Sequence, residues 1–147
     1  MVGRAFRWTV AIAILAATAS SATARPDNIV DRAVGYLKAQ EHVMQRDASM
    51  ADVDRLMRFY APNYVYRDAK VGITVSGIEA VRRGSASHLR ETADAAVRVD
   101  RAVASGDTIA LKVRTSFTLT ASGERVQRSN LVVLHYSADK IAERIDF

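Results

Sequence analysis

Apolar and aromatic residues return at Ile29, Ala33, Tyr36, Leu37 and Met44, with Val30 and Val34 beside them, so the stretch from Asp27 to about Gln45 is predicted to be a helix. Asp27, after Pro26, is placed to cap it. Arg46-Asp47-Ala48-Ser49 breaks the pattern, and Ser49 with Asp52 three residues later signals a second helix start. Val53, Leu56, Met57 and Tyr60 then fall at i, i+3, i+4 and i+7, one apolar stripe. Pro62 cannot continue a helix that carries Phe59 and Tyr60, and Asn63 suits a turn. Tyr64-Val65-Tyr66 reads as a short strand with Asp68 at its end, Tyr66 and Asp68 sharing a face. Ser76-Gly77-Ile78-Glu79 has capping-box spacing, and Ile78, Val81, Ser85 and Leu89 outline a third helix weakened by Gly84.

Beyond Asp94 the period changes from helical to alternating. Val97, Val99, Arg101 and Val103 share one predicted face, and Ser105-Gly106-Asp107 makes a turn. Ile109, Leu111, Val113, Thr115, Phe117 and Leu119 then seek a core, while the residues between them tolerate water. After a turn at Ala121 to Glu124, Val126, Arg128, Asn130, Val132, Leu134 and Tyr136 share a face, with His135 on the other. A last turn at Ser137 to Lys140 leads to a strand in which Ile141, Glu143, Ile145 and Phe147 oppose Ala142, Arg144 and Asp146. Helices first and an antiparallel meander after them make an α+β chain.

Composition narrows the classes. With 49% apolar and 25% charged residues in 147, the chain has the content of one globular domain. Arg4 and Arg7 precede an uncharged run from Trp8 to Ala19, and Ala22-Thr23-Ala24 has the form of a peptidase site, so residues 1–24 are expected to be a signal peptide and 25–147 the mature domain, secreted or periplasmic. That run is shorter than the ~20 residues a membrane-crossing helix needs, so no membrane association is expected after leader cleavage. There are no cysteines, which removes disulfides, thiolate nucleophiles and cysteine-bound zinc. No metal-ligand spacing or phosphate loop occurs, so no metal and no cofactor is expected. The formal charge of +5 falls to +3 without Arg4 and Arg7, and the basic residues are scattered, which argues against a nucleic-acid partner.

The motifs, taken in order, resemble the SnoaL-like branch of the nuclear-transport-factor-2-like superfamily, whose relatives include ketosteroid isomerases, scytalone dehydratases and limonene epoxide hydrolases. The resemblance is carried by Asp52-Val53-Asp54-Arg55-Leu56 leading into Tyr60-Ala61-Pro62-Asn63, Tyr64-Val65-Tyr66-Arg67-Asp68 followed by Gly72, Ser76 to Val81, Ser105 to Ala110, and Asp139-Lys140-Ile141-Ala142-Glu143. It implies a cone-shaped α+β barrel, three N-terminal helices enclosed by a curved, mainly antiparallel sheet, with a pocket for a small apolar or aromatic molecule. A homodimer through the outer sheet face is the expectation that goes with it.

The same resemblance nominates residues. Asp68 matches the place where ketosteroid isomerases carry a proton-moving carboxylate, although Ala69 replaces a frequent proline; the plainer reading is that Asp68 accepts backbone hydrogen bonds at a strand end. The first helix supplies an oxyanion-stabilising phenol in ketosteroid isomerases, which the resemblance assigns to Tyr36, to His42 or to neither, and Asn130, or Leu131 beside it, stands near a substrate-oxygen donor. Tyr66 joins them as a candidate ligand contact. The epoxide-hydrolase acid set requires a further pocket acid; the sequence gives no basis for choosing among Asp100, Glu143 and Asp146, and none is nominated. Three functions are consistent with this: a ligand-binding domain, an isomerase, cyclase or dehydratase using Asp68 as general acid or base, and an interaction module using the outer sheet face that bears Lys112 and Arg114.

Overall fold

A computed structural model describes residues 28–147; the expected leader and the Asp27 cap lie outside the described residues. Helix α1 spans Ile29–Val43 and α2 spans Met50–Met57. Strands β1 (Tyr60–Asp68) and β2 (Ile73–Ser76) follow, then α3 (Ile78–Glu91). Four strands complete the chain: β3 (Thr92–Ser105), β4 (Thr108–Leu119), β5 (Arg125–Ser137) and β6 (Lys140–Asp146). They form one six-stranded curved sheet in the order β2-β1-β6-β5-β4-β3, antiparallel except where β1 runs parallel to β6. The α+β cone with three helices against the sheet agrees with the expected fold.

Local chemistry accounts for most boundaries. Asn28 caps α1, its side chain accepting from Asp31 N–H at 2.9 Å. At α2 the Asp52 carboxylate accepts from Ser49 N–H (2.8 Å) and Ser49 Oγ (2.9 Å), the expected box. Arg55 adds a further hydrogen bond to Asp52 and, as the largest influence, holds its pKa down at about 2, with the Ser49 amide helping.

Two expected junctions differ. The helix expected to carry Phe59 and Tyr60 ends at Met57, and Pro62 lies inside β1. It is tolerated there because the pairing of β1 with β6 is irregular between Tyr60 and Val65, where a missing N–H breaks no regular ladder. Ser76 does not cap α3; it pairs with Val65 as the end of β2, and Gly77, at φ 87°, turns the chain into the helix.

The core lies between α1, α2 and the concave sheet face, where Val53, Leu56, Ile109, Leu111, Leu134 and Ile141 are buried. Two irregularities redirect side chains. The shift between Val99 and Arg101 turns Val103, expected beside Val97, onto the convex face, where it is 62% exposed. The shift opposite His135 and Tyr136 lets Ile141 face the core while Arg144 and Asp146, pairing with Leu134 and Val132, face inward as well.

Candidate functional site

The interior of the cone is not wholly filled by side chains. A cavity of about 410 Å3 lies between α1, α3 and the concave face, within the size range of small-molecule sites. From α3 it meets Ala80, Val81, Gly84, Ser85 and His88, one continuous helical stripe. No residue of that helix is fully buried, although Ile78, Val81 and Leu89 pack against the core. A Cβ built on Gly84 would meet nothing within 4 Å.

At the deep end the chemistry centres on Arg144. Its Nε lies 2.6 Å from Asp146 Oδ1 and its Nη2 2.7 Å from Oδ2, a two-pronged ion pair. Nη1 donates to the Tyr36 hydroxyl (2.8 Å) and to Gln40 Oε1 (2.7 Å), so a single N–H remains. Both members of the pair are nearly buried, with side-chain exposures of 14% and 10%. Burial alone disfavours the charged guanidinium, but Tyr36 and Asp146 outweigh it and hold Arg144 well above the usual arginine range.

Tyrosines surround this pair. The Tyr36 oxygen also lies within hydrogen-bond distance of the Tyr60 hydroxyl, at 3.2 Å. Tyr60 and Tyr64 pack with ring centroids 4.3 Å apart. Burial above all pushes both phenols well above their ordinary pKa, and burial with the Asp146 charge pushes Tyr66 up to about 12. These three hydroxyls are therefore protonated at neutral pH. Arg144 lies 5.9 Å from the Tyr36 ring centroid and 5.8 Å from that of Tyr66.

The nominated residues divide. Tyr36, Tyr66 and Asn130 line the cavity. His42 does not: it is exposed, with Nε2 3.3 Å from Asp52 Oδ1 on the far side of α1 from the cavity wall. Asp68 is also outside the lining. It pairs in register with Asp146; its Oδ1 accepts from Lys70 N–H (3.0 Å) and Val71 N–H (3.3 Å), the strand-end role, while its Oδ2 accepts from the hydroxyl of Tyr66, a lining residue, at 3.4 Å. Arg144, Asp146, Gln40 and Arg128 join the polar lining without having been nominated, as do Ser85, His88, Thr92 and Thr115. Of Asp100, Glu143 and Asp146, among which the sequence could not choose, Asp146 lines the cavity, while Asp100 pairs with Arg114 and Glu143 with Arg67.

The family model for the SnoaL-like domain matches residues 45–144. The chain belongs to the SnoaL-like domain family. Solved structures agree on the fold of this SnoaL-like protein. A protein from Shewanella putrefaciens, provisionally named a SnoaL-like polyketide cyclase, superposes with a TM-score of 0.66 at 12% identity, covering 80% of this chain and 77% of that one. An epoxide hydrolase of the LEH-like kind from M. tuberculosis gives 0.62 at 16%, covering 79% and 81%. A ketosteroid isomerase-like protein from Catenulispora acidiphila, solved with trimethylamine, gives 0.62 at 15%, covering 76% and 83%. At such identities the likeness extends to the fold alone. A search of curated proteins finds no match.

Proposed function

We propose that this chain is a secreted SnoaL-like domain that binds a small apolar or aromatic molecule in the cone, as a homodimer. The leader's charge and apolar pattern support export, and Val103 and Leu131, exposed on the convex face, support a contact between copies there. The observation that carries the binding reading is the unfilled cavity under α3, a helix whose apolar face lacks full contact because the space beneath it holds no side chains. A ligand would complete that packing.

Gly84→Leu tests the reading. The substitution places a side chain on the cavity stripe and removes a mid-helix glycine worth about 1 kcal/mol of helix stability. A neutral probe such as 2-naphthamide should bind the mature protein, and G84L should be at least as stable and lose binding. Undiminished binding by G84L would sink the reading.

A second reading has its own support. The buried Tyr36 hydroxyl, which accepts from Arg144, would be the donor to a developing oxyanion, and Asp146, ion-paired to the same arginine, is the one carboxylate of the lining among the described residues. An isomerase or dehydratase of this kind would work through Tyr36 and Asp146 rather than Asp68. A substrate turned over by the parent chain and by Y36F at equal rates would end it.

A further inference from the structure

The cavity is not electrically balanced. Among the described residues its lining holds two arginines, Arg128 and Arg144, and one carboxylate, Asp146. Asp146 is committed to Arg144 through both oxygens. Arg128, on β5, has no carboxylate partner among the described residues, yet it does not trail freely: its guanidinium lies 5.4 Å from the Phe117 ring centroid, and both residues line the cavity. Stacking on an aromatic wall fixes the plane of the fork while leaving its N–H groups to a ligand.

The neighbours of Arg128 are donors too. Asn130, two residues along the same strand face, has its Oδ1 occupied by Lys70 Nζ at 3.1 Å, so its amide N–H groups are what it can offer the cavity. That contact also sets the Lys70 ammonium beside Asn130. Thr115 pairs with Arg128 in register and adds a hydroxyl to the lining. From the opposite wall comes His88, accessible through the cavity mouth but crowded by protein; burial foremost, with the charges of Arg128 and Arg144 and against that of Glu91, lowers its pKa and favours a neutral ring with one N–H donor. Nothing at this end of the lining carries a negative charge.

Resting on the binding reading above, we propose that the ligand is a small aromatic or aliphatic carboxylate, its anionic group held by Arg128 and the Asn130 amide and its apolar body directed toward the tyrosines. A carboxylate matches the planar arginine fork and accepts from every donor named. An ammonium ligand fits worse despite the tyrosine rings, because Arg144 already lies over two of them.

The test compares 2-naphthoate with its uncharged isostere 2-naphthamide by titration calorimetry at pH 7.5, on the mature protein, R128Q, R128K and G84L. Naphthoate should bind at least ten-fold tighter than the amide, R128Q should reduce that ratio below three, R128K should restore part of it, and G84L should abolish binding of both. Equal affinities in the parent protein, or an undiminished ratio in R128Q, would overturn the carboxylate assignment while leaving the pocket. Binding of neither probe at millimolar concentration would overturn both.

Discussion

Arg144 and Arg128 line the same cavity and stand in opposite states. Arg144 is nearly buried and spends four N–H groups on Asp146, Tyr36 and Gln40. Arg128 is exposed, rests on Phe117 and has no ion pair among the described residues. A buried charge must be compensated within the fold, so the first arginine and its partners behave as architecture. An uncompensated charge beside an empty volume is inexpensive in water and free to recognise something, so the second belongs to the ligand.

The contrast is broken most forcefully at Asp146. Asp146→Ala leaves Arg144 buried and unpaired and should cost about 3–5 kcal/mol in urea unfolding. Replacing both, as R144M with D146L, should cost far less, because the pair rather than its polarity is what the fold needs. A D146A variant as stable as the parent would show that Arg144 finds compensation from solvent through the mouth. Tyr36→Phe removes one oxygen that accepts from both Arg144 and Tyr60, and should cost about 1–3 kcal/mol by the same measurement.

Smaller effects sharpen the boundary between architecture and recognition. Asp52→Ala, far from the cavity, should cost about 1 kcal/mol through loss of the α2 cap. Because Arg55 and Ser49 hold Asp52 at about 2 in the fold against an ordinary 3.8, its contribution is present above pH 3.8 and is lost as pH falls toward 2. Acid titration of stability should therefore be shallower in D52N than in the parent over that window. Arg128→Gln should change stability by about 0.5 kcal/mol or less, the smallest effect here, while altering ligand selectivity.

How far the sequence reveals these regions depends on backbone regularity. Alternation along β4 and β5 is uninterrupted, so Ile109, Leu111, Val132 and Leu134 were legible as core, and Asn130 as part of the concave face. The capping box at Ser49 was equally legible, because the four residues from Ser49 to Asp52 contain all its chemistry. Asp146 and Arg144 were not, because the extra residue in β6 changes which parity faces inward, and no local residue signals that shift. The parallel pairing of β6 with β1, which sets Tyr66 beside Arg144, joins segments 78 residues apart and leaves no periodic trace. Asp68 stands behind the cavity-lining Tyr66, with Oδ1 taken by loop amides and Oδ2 by the Tyr66 hydroxyl, an arrangement the strand pattern does not display. The glycine in α3 reads as a weak point in the sequence and as an opening in the fold.

The central claim is that the space under α3 is a ligand site. It is tested most directly by methyl-labelled nuclear magnetic resonance during titration with 2-naphthamide. Saturable shifts should appear at Leu37, Val81, Val113 and Val132, which line the cavity, and be absent at Val103 and Leu131 on the convex face. Shifts at Val103 and Leu131 with silent cavity methyls would contradict it.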